Sequence, residues 1–378
     1  MKIAGIIAEF NPFHYGHAYL IEKVKEEIKP DLTIVAMSPN FVMRGEPAIF
    51  DKMERTKIAL NEGIDIVAEI PTVYAVQAAD VFAFKGVQIL NALGITDLCF
   101  GVENNEEEQI KEIAKVMTEK TYKKYLHDFL DEGNSFNSSS KKALLKINTE
   151  FEKIIVNPNN LLAIQYLIAI KEINPSIVPH FFLRAKTGYF DSIKKKTTIQ
   201  SATALRELIV KRKFGKFFSY SVKNLTPHVK NDYLELIKYR ILSSSSKELS
   251  EILGVTEGFE NKLKNLEDIK NWDSLVNSLV SKRDRETKIN RILIAVLLNI
   301  KKEESKLLTL DYIRILGFDS LGQTHLKTLR NDNLQIISNI KRDLPASLYR
   351  EIDFTKIYSV PHHDQNLEIK EYSPIIKN

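Results

Sequence analysis

One stretch near the start of the chain constrains its fold most: Glu9-Phe10-Asn11-Pro12-Phe13-His14-Tyr15-Gly16-His17. It comes after the apolar run Ile3-Ala4-Gly5-Ile6-Ile7-Ala8 and precedes the helical pattern Ala18-Tyr19-Leu20-Ile21-Glu22-Lys23-Val24. The order therefore reads strand, tight turn, helix. A helix N-terminus at this turn presents unpaired N–H groups and positive dipole density, a setting that favours phosphate. Two imidazoles beside it, His14 and His17, can donate hydrogen bonds to oxygens that gain charge during reaction. Gly16 lets the backbone come close to a ligand, and Pro12 stiffens the turn ahead of it.

Downstream of the turn, apolar runs alternating with helical patterns set the fold class. Leu32-Thr33-Ile34-Val35-Ala36-Met37 and Ile64-Asp65-Ile66-Val67-Ala68-Glu69-Ile70 are short β-branched runs of the kind buried on both faces of a parallel sheet. Between them, Asp51-x-x-Glu54 opens a helix through Leu60, and beyond them Ala78 to Leu93 forms another ended by Gly94. Leu98-Cys99-Phe100-Gly101 closes a fourth strand, and Val178-Pro179-His180-Phe181-Phe182-Leu183 is a fifth, ending at Arg184. This alternation predicts an α/β, Rossmann-like parallel sheet without the glycine fingerprint for dinucleotides. The phosphate site then falls to the histidine turn. The loop Ser38 to Pro47 lies at the carboxyl end of the second strand, where open α/β sheets place ligands.

We expect residues 1–219 to form the nucleotide-binding domain, with a charged helical insertion at about 103–150. Beyond Ser219 no strand pattern stands out, so 220–378 is expected to be a mostly α-helical domain. A chain of 378 residues is long enough for such a division. Its single cysteine, Cys99, excludes an internal disulfide framework. No basic-apolar leader opens the sequence and no apolar run reaches membrane-spanning length, so a cytoplasmic location is expected.

Charge is unevenly spread. Overall it is +5, yet residues 181–220 alone hold ten Lys/Arg against Asp191 and Glu207, a net +8. Such a block suits a polyanion, though a solvated helix face and loop would also account for it. Within it, Ser201-x-Thr203-x-x-Arg206 begins a helix with Ser201 as N-cap. Hydroxyls, N–H groups and a guanidinium there can hold β- and γ-phosphates and stabilise a leaving pyrophosphate.

His14-x-Gly16-His17 after a first strand, with the Ser201-Thr203-Arg206 segment, resembles the nucleotidylyltransferase superfamily. Three longer stretches narrow this: Glu9 to His17, Asn40-Phe41-Val42-Met43-Arg44-Gly45-Glu46-Pro47-Ala48, and Asn157-Pro158-Asn159-Asn160. Together they resemble the bacterial tRNA(Met) cytidine acetate ligases, most distinctly over residues 1–210. The resemblance implies that ATP and acetate form acetyl-adenylate and that the acetyl group passes to the wobble cytidine of elongator tRNA(Met). It implies ATP-binding roles for Ile7, Ala8, Glu9, Phe10, Asn11, Phe13, Gly16 and His17, and for Gly101, Asn159 and Arg184. His14, His17 and Arg206 are the expected catalytic residues, with Ser201 and Thr203 on the phosphates. The expected metal is Mg²⁺ carried by ATP rather than by a protein cage.

Two positions depart from the family pattern, Pro39 and Ala163, where relatives often have Gly. Lys194, Lys195, Lys196, Lys211, Arg212 and Lys213 are the candidate tRNA contacts. No obligate protein partner is evident. The residues alone leave two other readings open: a nucleotidylyltransferase for a small phosphorylated metabolite, and a non-catalytic RNA-binding protein on a nucleotide fold.

Overall fold

The computed structural model describes residues 1–184, 201–213, 218–282, 284–306, 310–329, 334–341, 344–364 and 366–377. From the N-terminus, β1 (Ile3–Ala8) leads through α1 (Tyr15–Lys23) to β2 (Leu32–Met37). A small antiparallel hairpin comes next, β3 (Phe41–Val42) with β4 (Glu46–Pro47), and then α2 (Lys52–Asn61) and β5 (Ile66–Glu69). After these come α3 (Thr72–Ala75), α4 (Ala79–Ala92) and β6 (Asp97–Val102). Helices Glu107–Thr118, Lys120–Asp131 and Phe136–Ile147 form the expected insertion, and helix Pro158–Ile173 returns the chain to β7 (Val178–Leu183).

In space the parallel strands run β5-β2-β1-β6-β7. β1 pairs with β2 from Ile3↔Leu32 to Ala8↔Met37, and on its other edge with β6. Strand order therefore reverses at β1, and the crevice beyond the carboxyl ends of β1 and β6 is the position where such sheets bind ligands. Every residue of β2 and β5 is buried, which explains their unbroken apolar sequences. The two sheet faces are covered separately. Ile34, Ile66, Phe82 and Ile164 belong to the core on one side, and Ile6, Val35, Met53 and Leu60 to the core on the other.

Past Ser219 the chain is mostly helical, as expected, but it also supplies strands that the sequence pattern did not show. Residues 220–306 are helical and share a core built on Tyr233, Phe259, Trp272 and Leu293. The chain then comes back to the sheet. β8 (Tyr312–Phe318) lies antiparallel against β5, while β9 (Gln335–Ile337) and β10 (Ile375–Ile376) pair parallel with β8. The sheet thus has eight strands, three of them from beyond residue 219. β8 escapes a pattern reading because Arg314 interrupts it, although that side chain is fully buried. Arg314 reaches the carbonyls of Ser338 and Glu371, so its charge is matched by backbone oxygens.

A second buried ionic group ties the ends of the chain together. Lys52 at the start of α2 lies 2.6 Å from Glu69 of β5 and 2.8 Å from Glu371 near the C-terminus. Glu351, in the helix Ala346–Ser359, accepts from the backbone N–H of Thr72 at 2.7 Å and from its hydroxyl. Burial, then the neighbouring Glu69, push the Glu351 carboxyl up to about 8.

Candidate active site at the histidine turn

The site begins with a helix cap. His14 is the N-cap of α1, and its Nδ1 accepts from the Gly16 N–H at 3.0 Å. Three residues on, His17 Nδ1 accepts from the His14 N–H at 3.2 Å, so the two histidines form a reciprocal capping box. Their rings stack with centroids 3.8 Å apart and planes 19° apart. Because each Nδ1 is an acceptor, the hydrogen-bond pattern assigns the proton of each neutral ring to Nε2. Burial first, and then the positive charge of Arg184, lower His14 to about 4. His17 is held well below its usual value by burial, His14 and Arg184, in that order. At neutral pH both rings are therefore uncharged donors.

Gly16 has an intramolecular reason to be glycine. A Cβ there would stand 2.9 Å from Cε1 of His14, in the space its folded-back ring occupies. Beneath the rings, Phe10 and Phe13 are 1% and 0% exposed, and the Phe10 ring lies edge-on to His17 at 5.0 Å. Both rings pack against His17 and support the stacked imidazoles from below. Ile7 and Ala8, at the end of β1, likewise pack against the core.

Asn11 and Glu9 anchor the turn to the hairpin. Asn11 Oδ1 accepts from the Ile49 N–H at 2.7 Å, and its Nδ2 donates to Glu46 of β4 at 3.3 Å. Glu9 accepts from the Met43 N–H at 3.0 Å, and burial together with the charge of Glu46 raises its carboxyl. Arg55, fully buried in α2, donates to four carbonyls: Phe50, Glu9, Ser38 and Pro39. It fastens the loops after β1 and β2 to one guanidinium, and the Pro39 departure sits on that fork. The other departure, Ala163, is buried in helix Pro158–Ile173, 1% exposed.

Arg206 comes to the turn from the helix Ala202–Val210. Its Nη1 donates to the Asn11 carbonyl at 2.8 Å, and its Nη2 lies 3.2 Å from Glu46 and 3.4 Å from Thr203 Oγ1. Ser201 caps this helix, accepting from the Ala204 N–H at 3.2 Å. At the end of the neighbouring strand, Gly101 of β6 makes room for Arg184, whose Cγ would be 3.2 Å from a Cβ at that position. Arg184 pairs with Glu103 at 3.5 Å, and Asn159 donates to the same carboxylate oxygen. The sequence-predicted residues thus fall in two contact groups, His14 and His17 with Asn11 and Arg206 at the turn, and Gly101 with Asn159 and Arg184 at the end of β6. The long-range effect of Arg184 on both imidazoles links them.

Sequence reasoning missed Glu46, Arg55 and Glu103. For Glu46 a signal existed, an acidic residue in a loop at the carboxyl end of a parallel strand. Arg55 read as an ordinary helix charge, and Glu103 as the first of the charges in the helical insertion. Lys211, Arg212 and Lys213 come directly after the Arg206 helix and are exposed, whereas Lys194, Lys195 and Lys196 lie outside the described residues. Among the described residues no three His, Cys, Asp or Glu side chains gather as a metal site. No described helix is long and apolar enough to cross a membrane.

Known proteins share this architecture over its whole length. The sequence profile of the family described as HIGH Nucleotidyl Transferase matches residues 1–372. A Clostridium perfringens protein named tRNA(Met) cytidine acetate ligase is 36% identical, the match covering 95% of each chain. A Thermoanaerobacter protein of the same name is also 36% identical, over 100% of each chain. The crystal structure of Thermotoga maritima TmcAL bound with alpha-thio ATP superposes with a TM-score of 0.86 at 28% identity, covering 100% of this chain and 99% of that one. The chain belongs to the HIGH nucleotidyl transferase family, within the group of tRNA(Met) cytidine acetate ligases.

Proposed function

We infer that the protein is an ATP-dependent ligase that activates acetate as acetyl-adenylate and acetylates N4 of the wobble cytidine of elongator tRNA(Met). The observation that carries the reading is the histidine capping box. It fixes two neutral imidazoles with their Nε2–H groups turned away from the helix end they cap, with the charge of Arg184 acting on both, while Arg206 is bound to the Asn11 carbonyl of the same turn. A carboxylate oxygen of acetate attacks the α-phosphorus, and the bond to pyrophosphate breaks. His14 and His17 donate to the phosphoryl oxygens as they gain charge, without giving up a proton. Arg206, with Ser201 and Thr203, holds the leaving phosphates, and Arg184 and Asn159 hold the nucleotide at the end of β6.

The cytidine amine, a weak nucleophile, then attacks the activated carbonyl and AMP departs. Mg²⁺ enters with the ATP phosphates, where it neutralises charge. Lys211, Arg212 and Lys213, together with Lys194, Lys195 and Lys196, are assigned to the tRNA backbone, in a cytoplasmic enzyme.

The test incubates the protein with ATP, labelled acetate and bulk tRNA, with nucleoside mass spectrometry as the readout. Label recovered as N4-acetylcytidine supports the ligase. ATP–pyrophosphate exchange driven by a phosphorylated metabolite, with no label in RNA, would replace it with the small-metabolite enzyme.

A further inference from the structure

The hairpin β3–β4 is held by elements from three parts of the chain. Phe41 is fully buried in the helical core, edge-on to Tyr233 at 5.8 Å and Tyr358 at 5.7 Å. The Tyr358 hydroxyl donates to the Ala48 carbonyl at 2.7 Å. At the hairpin tip Gly45 adopts φ +74, and a Cβ there would stand 2.2 Å from the backbone nitrogen of Arg291 in the helix Glu286–Leu298. On the other side, the Met43 N–H is bound by Glu9 of the histidine turn. This is a clamped element, whose position is settled by backbone contact with the helical region.

Glu46, next to that tip, is the hairpin side chain that faces the phosphate-side arginine. Its Oε1 accepts from Asn11 Nδ2 at 3.3 Å and lies 3.2 Å from Arg206 Nη2, with both partners of the ion pair largely buried. A guanidinium has five N–H donors. Those directed at Asn11, Glu46 and Thr203 fix its plane and leave the others for an anion. Without the carboxylate, the arginine keeps its links to the Asn11 carbonyl and to Thr203 of its own helix but loses its one tie to the hairpin. We propose that Glu46 is a positioning residue for the adenylation step, aiming the Arg206 guanidinium at the departing pyrophosphate from a hairpin that the C-terminal helical region holds in place.

The inference rests on the reading of Arg206 as a pyrophosphate ligand, so both residues are varied together. Acetate-dependent ATP–pyrophosphate exchange is measured for Glu46→Ala, Glu46→Gln, Arg206→Ala and the Glu46→Ala/Arg206→Ala double variant. Misplacing a catalytic group by about 1 Å costs up to a hundredfold, so Glu46→Ala should lose about ten- to a hundredfold. The loss should fall on kcat and kcat/KM alike, as for an interaction made only in the transition state. Glu46→Gln keeps an oxygen acceptor for Asn11 and Arg206 and should recover part of the rate with an unchanged melting temperature. In the Arg206→Ala background, Glu46→Ala should cost nothing further, because the carboxylate acts through the arginine.

Wild-type exchange in Glu46→Ala overturns the proposal. So does an undiminished Glu46→Ala effect in the Arg206→Ala background, or a rate loss in Glu46→Gln that tracks unfolding. Wild-type exchange in Arg206→Ala defeats the reading of Arg206 itself. An impaired Arg206→Ala beside an unimpaired Glu46→Ala defeats only the assignment of Glu46.

Discussion

His14 has two tasks that can be separated by substitution. It caps α1 through Nδ1, and in the proposed mechanism it donates through Nε2–H. Asparagine is an equally good N-cap but lacks a donor at the Nε2 position. His14→Asn should therefore keep the melting temperature within a few degrees while lowering acetate-dependent exchange by about a hundredfold or more, the usual loss for one preorganised donor. Near-wild-type exchange in that variant would reduce the ring to a cap. The pH dependence derives from the lowered His14 value of about 4. The neutral form persists well below pH 6.5, so exchange should show no titration near 6.5 and should fall only toward pH 4. Stability behaves differently: the unfolded chain takes up the proton first, so the contribution of His14 shrinks as pH drops from 6.5 toward 4. Exchange and thermal melting measured over the same pH range should thus part company.

At the scale of the elements, the Rossmann-like half was legible because its strands are buried on both faces and read as unbroken apolar runs. The turn was legible because two histidines, a glycine and a proline share nine residues. What stayed hidden depends on partners distant in sequence. Arg55 resembles any surface arginine of a helix until its four carbonyls are seen. Lysine has neither the fork nor the reach for them. Arg55→Lys should lower the melting temperature and weaken exchange together, since each stranded buried acceptor costs about 1–3 kcal/mol. Unchanged melting would mean that the loops after β1 and β2 need no common anchor. β8 was hidden for a related reason, as a charged residue in its middle makes sense only beside β9 and the C-terminal turn.

For the molecule as a whole, the buried cluster of Lys52, Arg314, Glu69, Glu351 and Glu371 contains three acids and two bases. A proton on Glu351 balances them, in line with its rise to about 8. A carboxyl raised on folding favours the native state fully below its unfolded value and loses that contribution as pH climbs through the folded one. Stability should accordingly decline between about pH 4.5 and 8 through this group. Glu351→Gln, permanently neutral, should flatten the decline. Melting curves of both proteins across that range decide it, and parallel curves would refute the assignment. The RNA-facing prediction belongs at the same scale. Reversing Lys211, Arg212 and Lys213 to Glu should weaken tRNA binding and shallow its salt dependence while leaving adenylate formation intact. Equal salt slopes for the two proteins would move the tRNA elsewhere on the surface.

The place of β8 also bears on how the chain is made. β5 is complete once residue 69 has been synthesised, but its outer neighbour ends at residue 318. At ordinary elongation rates the ribosome needs roughly 12–50 s to supply the difference. Throughout that interval the nascent nucleotide domain carries an uncovered apolar strand edge, the kind of surface that recruits other strands. The β5 edge is therefore expected to stay open to other strands until translation is nearly complete.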